Sequence, residues 1–299
     1  MTPDARPRVL YVTDLAYEAR GRRYCDEDIF LTSRLRAEFD IALCHPLDAA
    51  ALIGSFDLAV IRNSGPVLNY QAEYDDFRAR AAATGTPVYN ELTGRADMAG
   101  KQYLVDLTAA GLPVIPTVDR RENLDRLPDV PEYAVKPKLG ADSIGLRFLP
   151  RTGLDEQPFD SGLLVQPRIR FRYEVSFYFI DHDFQYALHA PDVDARWALV
   201  PYRPTGADLE FARRFIDWNG IAHGIQRVDA CRTPDGELLL VELEDLNPYL
   251  SLDLLPAEGR EAFVTRLGRS LREALAAARA RAGQGQSSTR TTAATGSAP

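Results

Sequence analysis

Cysteine is scarce. The three present in 299 residues, Cys25, Cys44 and Cys231, are far apart, lack paired metal-ligand spacing, and leave one over if two were bridged. This argues against a disulfide-stapled scaffold and a thiolate metal site, and fits reduced thiols in a cytoplasmic protein. Basic charge is also short: 35 Lys and Arg stand against 43 Asp and Glu, a formal charge of −8. Neither a general nucleic-acid surface nor a patch for anionic membranes is expected, so an anionic ligand must be held by local lysines and arginines. The opening MTPDARPRVLYVTD has only a short apolar stretch, which makes neither a signal peptide nor a membrane span. No GxxxxGK[ST] loop occurs, no GxGxxG follows the first apolar run, and no internal repeat is visible. What the chain does have is 45% hydrophobic residues, enough for two cores or one large α/β core with inserts.

Hydrophobic patterning divides the chain into three parts. In residues 1–95, the near-continuous apolar runs Arg8–Thr13, 41–44 and 57–61 read as buried strands, with helical patterns over 27–38 and 73–83, as in a small parallel α/β unit. Residues 96–282 begin with a short strand before them (PVYN) and a helical pattern over 96–110 that carries Lys101. They continue with strands over 133–136, 144–149, 163–166, 173–180, 184–190, 225–231 and 237–244, and one long helix over 206–218. That half is expected to be α+β and mainly antiparallel, with a small central subdomain over about 113–168. A closing helix over 258–282 places Phe263, Leu267, Leu271 and Leu275 on one core-facing stripe. Residues 283–299, rich in Gly, Ser and Thr, are expected to be a structureless tail.

The most informative segment is GIQRVDACRTPDGELLLVELEDLNP, two strands joined at Asp235-Gly236. A hairpin centred on that pair sets Asp229 opposite Glu242 and Arg227 opposite Glu244, all on one face. Arg227 with Glu244 is an ordinary ion pair. Two carboxylates directly opposed destabilise a hairpin unless a cation bridges them, and hard oxygens without His or Cys favour Mg²⁺ shared with phosphates. Register decides this: a three-residue loop with a glycine bulge would put Asp229 on the other face, whereas a four-residue loop keeps the parity. In YAVKPKLGADSIGLRF, Lys136 ends a strand before a glycine-containing loop, where backbone N–H groups and a point charge can meet phosphates. Alone, this segment also suits a surface hairpin.

The ordered series of Lys101, Lys136 before the glycine loop, LLVQPRI, Glu174, RVD and ELE resembles the ATP-grasp ligases, which include D-alanine:D-alanine ligases and ribosomal-protein glutamate ligases. The resemblance spans about residues 87–255 and implies ATP and Mg²⁺ as cofactors and a carbon–nitrogen ligase activity through an acyl-phosphate. It further implies that Lys101 and Lys136 contact phosphates and that the loop with Gly140 and Ser143 closes over the nucleotide. Gln166, Pro167, Arg168 and Ile169 would form the adenine hinge, and Glu174 would accept a ribose hydroxyl. Asp229, Glu242 and Glu244 take the metal positions, and Arg227 steadies the moving phosphoryl group. The chain departs from the family at Pro167, where an acid is usual, and at Glu244, where many members carry Asn; Asn247 competes for that role. A non-catalytic nucleotide-binding module should lack one of the key residues, and Lys101, Lys136, Arg227, Asp229 and Glu242 are all present. Substrate candidates lie at the strand ends of the first domain, Asp14, Tyr17, Arg62 and Asn63. Arg62 suits a carboxylate clamp or a structural ion pair; Arg168, Arg170 and Arg172 suit a substrate contact or a solvated edge; His189 suits the cleft or a buried hydrogen bond. The expected partner is a small amino-acid-like molecule, with neither nucleic acid nor membrane, and assembly into a homo-oligomer stays open.

Overall fold

The computed structural model describes residues 5–19, 21–62, 67–140, 143–157, 159, 162–192, 194–195 and 197–293. The run RVLYVT forms strand β1 (Arg8–Thr13), buried from Val9 onward as a two-sided parallel strand should be. A small ribbon follows, β2 (Glu18–Ala19) against β3 (Arg22–Arg23). Then come α1 (Cys25–Leu35), β4 (Asp40–Cys44), α2 (Pro46–Leu52), β5 (Leu58–Arg62), α3 (Gln71–Thr84) and β6 (Val88–Tyr89). Parallel pairing gives a sheet in the order β4-β1-β5-β6, the α/β unit expected of this half.

The continuous helix expected over 96–110 is broken. Gly100 adopts φ 84°, and a Cβ there would meet the Leu139 side chain at 2.7 Å, so glycine is required and the helix cannot run through it. A 3₁₀ turn (Asp97–Ala99) and α4 (Tyr103–Ala109) stand on either side. Lys101 therefore sits on the turn between them, its N–H donating to the Lys138 carbonyl at 2.9 Å. Next, β7 (Tyr133–Pro137), β8 (Arg147–Leu149), α5 (Arg151–Leu154) and β9 (Leu163–Pro167) make a three-stranded antiparallel sheet, β8-β7-β9. It has a core of its own, in which Val118, Tyr133, Leu154 and Val165 are buried.

The last unit is an antiparallel sheet in the order β12-β11-β10-β13-β14. Its strands are β10 (Tyr173–Ile180), β11 (Asp183–Ala190), β12 (Val200–Tyr202), β13 (Ile225–Arg232) and β14 (Leu238–Glu244). Helix α6 (Gly206–Asn219) starts at a Thr205/Asp208 capping box and stops at Gly220, which takes φ 73°. Helix α7 (Ala257–Ala293) packs Phe263, Leu267, Leu271 and Leu275 into a core shared by β1, β5, α1 and β10, so the stripe ties the first domain to the last. The helix does not stop at residue 282: it runs to Ala293, because adding turns to an anchored helix needs no new nucleus. Residues 294–299 lie outside the described residues. All three cysteines are free and buried, and among the described residues no helix is long and apolar enough to cross a membrane.

A buried polar network locks the first domain onto the loop that follows β14. Arg62 is 2% exposed; its Nε donates to Asp28 at 3.0 Å and its Nη1 to the Pro248 carbonyl at 2.5 Å. Glu27 accepts the N–H groups of Leu250 and Leu252 at 2.8 and 3.0 Å, while Asp28 also accepts from Tyr11 and Thr13. Burial pushes the Glu27 carboxyl up to about 7, against the pull of Arg62 and those two N–H groups. Removing the guanidinium strands two buried carboxylates. Arg62→Met should lose about 3–5 kcal/mol of unfolding free energy in urea, whereas Arg23→Ala, which breaks the exposed Arg23–Asp26 pair, should lose under about 1 kcal/mol.

Candidate active site

The two strands of the β13–β14 hairpin meet as the site requires, by a route the turn alone would not give. Arg227 faces Glu244 and Asp229 faces Glu242. Nearer the turn, however, Arg232 faces Leu238, and Gly236, at φ 94°, completes a three-residue loop with its N–H on the Thr233 carbonyl at 3.0 Å. Continued regularly, that register would set Asp229 against Val241 and turn Glu242 to the other face. A bulge between Asp229 and Ala230 adds Val241 to β14, and the consecutive residues Val241 and Glu242 both line the cavity.

That cavity, of about 440 Å³, has Lys101, Arg227, Asp229, Glu242 and Glu244 on its wall. Arg227 binds Asp229 at 2.8 Å, Glu244 at 2.5 Å and the Tyr249 carbonyl at 2.9 Å. Ser176, on the neighbouring strand, donates to Asp229 at 2.6 Å. Lys101 pairs with Glu242. Burial pushes the Glu244 carboxyl up to about 8; Arg227 opposes this, while Asp229 and Asp97 add to it. Burial lowers Lys101, and burial together with the Lys101 charge brings Lys136 down to about 7. Lys101 and Arg227 thus gather where three carboxylates converge, with Lys136 near enough to feel the Lys101 charge. The donor set suits Mg²⁺, which takes one or two carboxylates and completes its shell with phosphate oxygens and water. Among the described residues no three Asp, Glu, His or Cys side chains group closely enough to hold a metal ion by themselves.

The other expected residues are distributed unevenly. Gly140, Ser143, Glu174 and Asn247 line the cavity. Lys136, Gln166, Pro167, Arg168 and Ile169 do not line it. Gln166 is buried and donates to Thr117 at 2.8 Å, while the Arg168 N–H is taken by the Glu132 carbonyl at 2.9 Å and its guanidinium stacks on Phe148. Arg172 binds the Pro234 carbonyl, and His189 packs edge-on against Tyr173, so neither faces the cleft. Arg62 is consumed by the network under the loop. Asp14 accepts the N–H groups of Ala16 and Tyr17 and the Tyr70 hydroxyl, which makes it a loop anchor. Tyr17 packs on Tyr24, which packs on Tyr249 at the cavity. Asn63 lies outside the described residues.

Several cavity residues carried no sequence signal. Lys138, one residue past the strand end, reaches Gln102 and Asp119 at 2.6 and 2.8 Å. Asp97 accepts the N–H groups of Asp245 and Leu246. Tyr74, Arg78 and Trp197 come from segments that read only as a helix and a loop.

A parallel α/β domain, a three-stranded lid and an antiparallel sheet with a charged hairpin together make the ATP-grasp fold. Solved structures match nearly the whole chain. D-cycloserine synthetase DcsG is 21% identical, with a TM-score of 0.68, over 90% of this chain and 99% of that one. D-alanine–D-alanine ligase from Bacillus anthracis, complexed with ATP, is 14% identical, with a TM-score of 0.62, over 92% and 99%. The ATP-grasp ligase PsnB, complexed with its minimal precursor, is 17% identical, with a TM-score of 0.59, over 87% and 98%. No protein-family profile matches the sequence, and no curated protein does. At these identities the likeness is one of fold.

The raised Glu244 carboxyl has a thermodynamic consequence. A group that binds its proton more tightly when folded makes stability fall as pH rises, here from 4.5 towards 8. In metal-free protein, Glu244→Gln should flatten this part of the pH–stability profile. Urea titrations of both proteins at about pH 5 and about pH 8 measure the difference, and equal slopes contradict the environment described for Glu244.

Proposed function

We propose that this protein is an ATP- and Mg²⁺-dependent carbon–nitrogen ligase that activates a small-molecule carboxylate as an acyl-phosphate. The observation that carries this reading is the convergence of Asp229, Glu242 and Glu244 with Arg227 and Lys101 on one cavity wall. Mg²⁺ held by those carboxylates would neutralise charge on the nucleotide phosphates. Lys101 would bring positive charge to the same phosphates, and Lys136, lowered to about 7 by burial and the Lys101 charge, would be drawn back to its charged form beside them. Arg227, anchored on the Tyr249 carbonyl, would steady the transferring phosphoryl group and the acyl-phosphate. Gly140 and Ser143 bring the lid loop to the cavity, where closure would keep the acyl-phosphate from water.

For the substrate, the reading is O-ureido-D-serine, closed to D-cycloserine, an antibiotic. The chain as a whole, including RNSGPVLNY and DLNPYLSLD, resembles O-ureido-D-serine cyclo-ligase, and the match to a D-cycloserine synthetase supports it. ATP phosphorylates the substrate carboxylate. The nitrogen on the side-chain oxygen attacks the acyl carbon and displaces phosphate, forming a five-membered ring. Water takes the carbamoyl part as CO₂ and ammonia. An intramolecular attack needs no channel for a second substrate, so one compact polar pocket beside the phosphates suffices.

The test is phosphate release from MgATP with and without O-ureido-D-serine, with mass spectrometry for cycloserine. Phosphate matched one for one by cycloserine is expected, and Asp229→Asn should slow it about a hundredfold or more. Release that needs a separate amine would instead identify an intermolecular ligase.

A further inference from the structure

We propose that Tyr74 and Arg78, on α3, form a substrate subsite that takes an sp² oxygen remote from the carboxylate that is phosphorylated. The inference rests on the ligase reading for which end of the ligand is activated, and on the cavity itself for the rest. Tyr74 is 5% exposed and lines the cavity, and among the described residues its buried hydroxyl has no hydrogen-bond partner. Buried hydroxyls are almost always paired, so this one is arranged for a group that the protein does not supply. Its ring is core: Tyr74, Phe77 and Ala81 form the buried stripe of α3. Phenylalanine at position 74 would fill the same space without stranding a donor. Burial raises the phenol's pKa, so it stays protonated and donates.

Arg78 lies one helical turn further on, its guanidinium carbon 5.7 Å from the Tyr74 ring centroid, and it lines the same cavity. The other cations on the wall are committed: Lys101 to Glu242, Lys138 to Asp119, and Arg227 to Asp229 and Glu244. Among the described residues, Arg78 is the one cavity-lining cation without a carboxylate partner. Gln71, a turn earlier, commits one of its two amide N–H donors to Asp75 at 3.1 Å. Two donors one helical turn apart on the same cavity wall, one neutral and one cationic, select an acceptor oxygen. In O-ureido-D-serine that oxygen is the ureido carbonyl.

The test uses the full chain with MgATP. Tyr74→Phe and Arg78→Met should each raise the KM for O-ureido-D-serine by about tenfold or more while the Kd for MgATP stays within about twofold. A role confined to folding would move both constants or neither. If the native protein does not turn over O-ureido-D-serine, the cyclo-ligase reading fails separately and the subsite is tested by binding. Succinamate and 4-methylpentanoate share one heavy-atom skeleton and one charge, and only the first carries the second sp² oxygen. The native protein should then bind succinamate more tightly, and Arg78→Met should erase the preference. Unchanged KM values, or equal affinity of the native protein for the two acids, would overturn the subsite.

Discussion

Three carboxylates on adjacent strands repel one another, and this repulsion is the constraint around which the rest of the structure is arranged. Asp229 and Glu242 are directly opposed, and Glu244 stands on the same face. Such a cluster is stable only where positive charge is supplied and held. Arg227 supplies it to two of the acids, and Lys101 to the third. Neither cation is loosely placed. Arg227 is braced by the Tyr249 carbonyl, and Lys101 is fixed by a backbone bond from a turn that only Gly100 permits. The loop that braces Arg227 is itself gripped from beneath by Arg62 and Glu27 of the first domain. Charge balance in the cleft therefore depends on the packing of one domain against the other.

Much of this was legible in the sequence, for physical reasons. Strands buried on both faces announce themselves as apolar runs, so β1 was placed without error. The pairs Arg227–Glu244 and Asp229–Glu242 were also read correctly, but on incomplete grounds. A two-residue or four-residue turn was taken to set the register, whereas the actual three-residue loop would have misplaced it and the bulge at Val241 restores it. Nothing in ELLLVELE marks that bulge. Two one-residue shifts cancel, and sequence parity sees only their sum.

Other features were illegible because they depend on what lies across a gap. The pattern over 96–110 reads as one helix, and only the backbone at Gly100, with φ 84°, shows the break. Arg62, at a strand end facing a candidate cleft, is equally a ligand clamp or a structural ion pair until Asp28, Glu27 and Pro248 are seen to surround it. Tyr74 and Arg78 lie in a segment that reads only as a helix, and nothing in it shows which face meets the loop after β14. The hinge over 166–169 was taken from the resemblance. Here its groups are engaged with Thr117 and Glu132, so this lid geometry does not open them to the cavity.

The central claim is that the carboxylate cluster exists to share a divalent cation with a nucleotide. Calorimetric titration of ATP into the protein, with Mg²⁺ and with a chelator in its place, tests it most directly. The account predicts saturable binding with Mg²⁺ that weakens by about tenfold or more without it, because uncompensated carboxylates repel the phosphates. ATP binding of equal affinity with and without the metal, or no binding in either case, would contradict it.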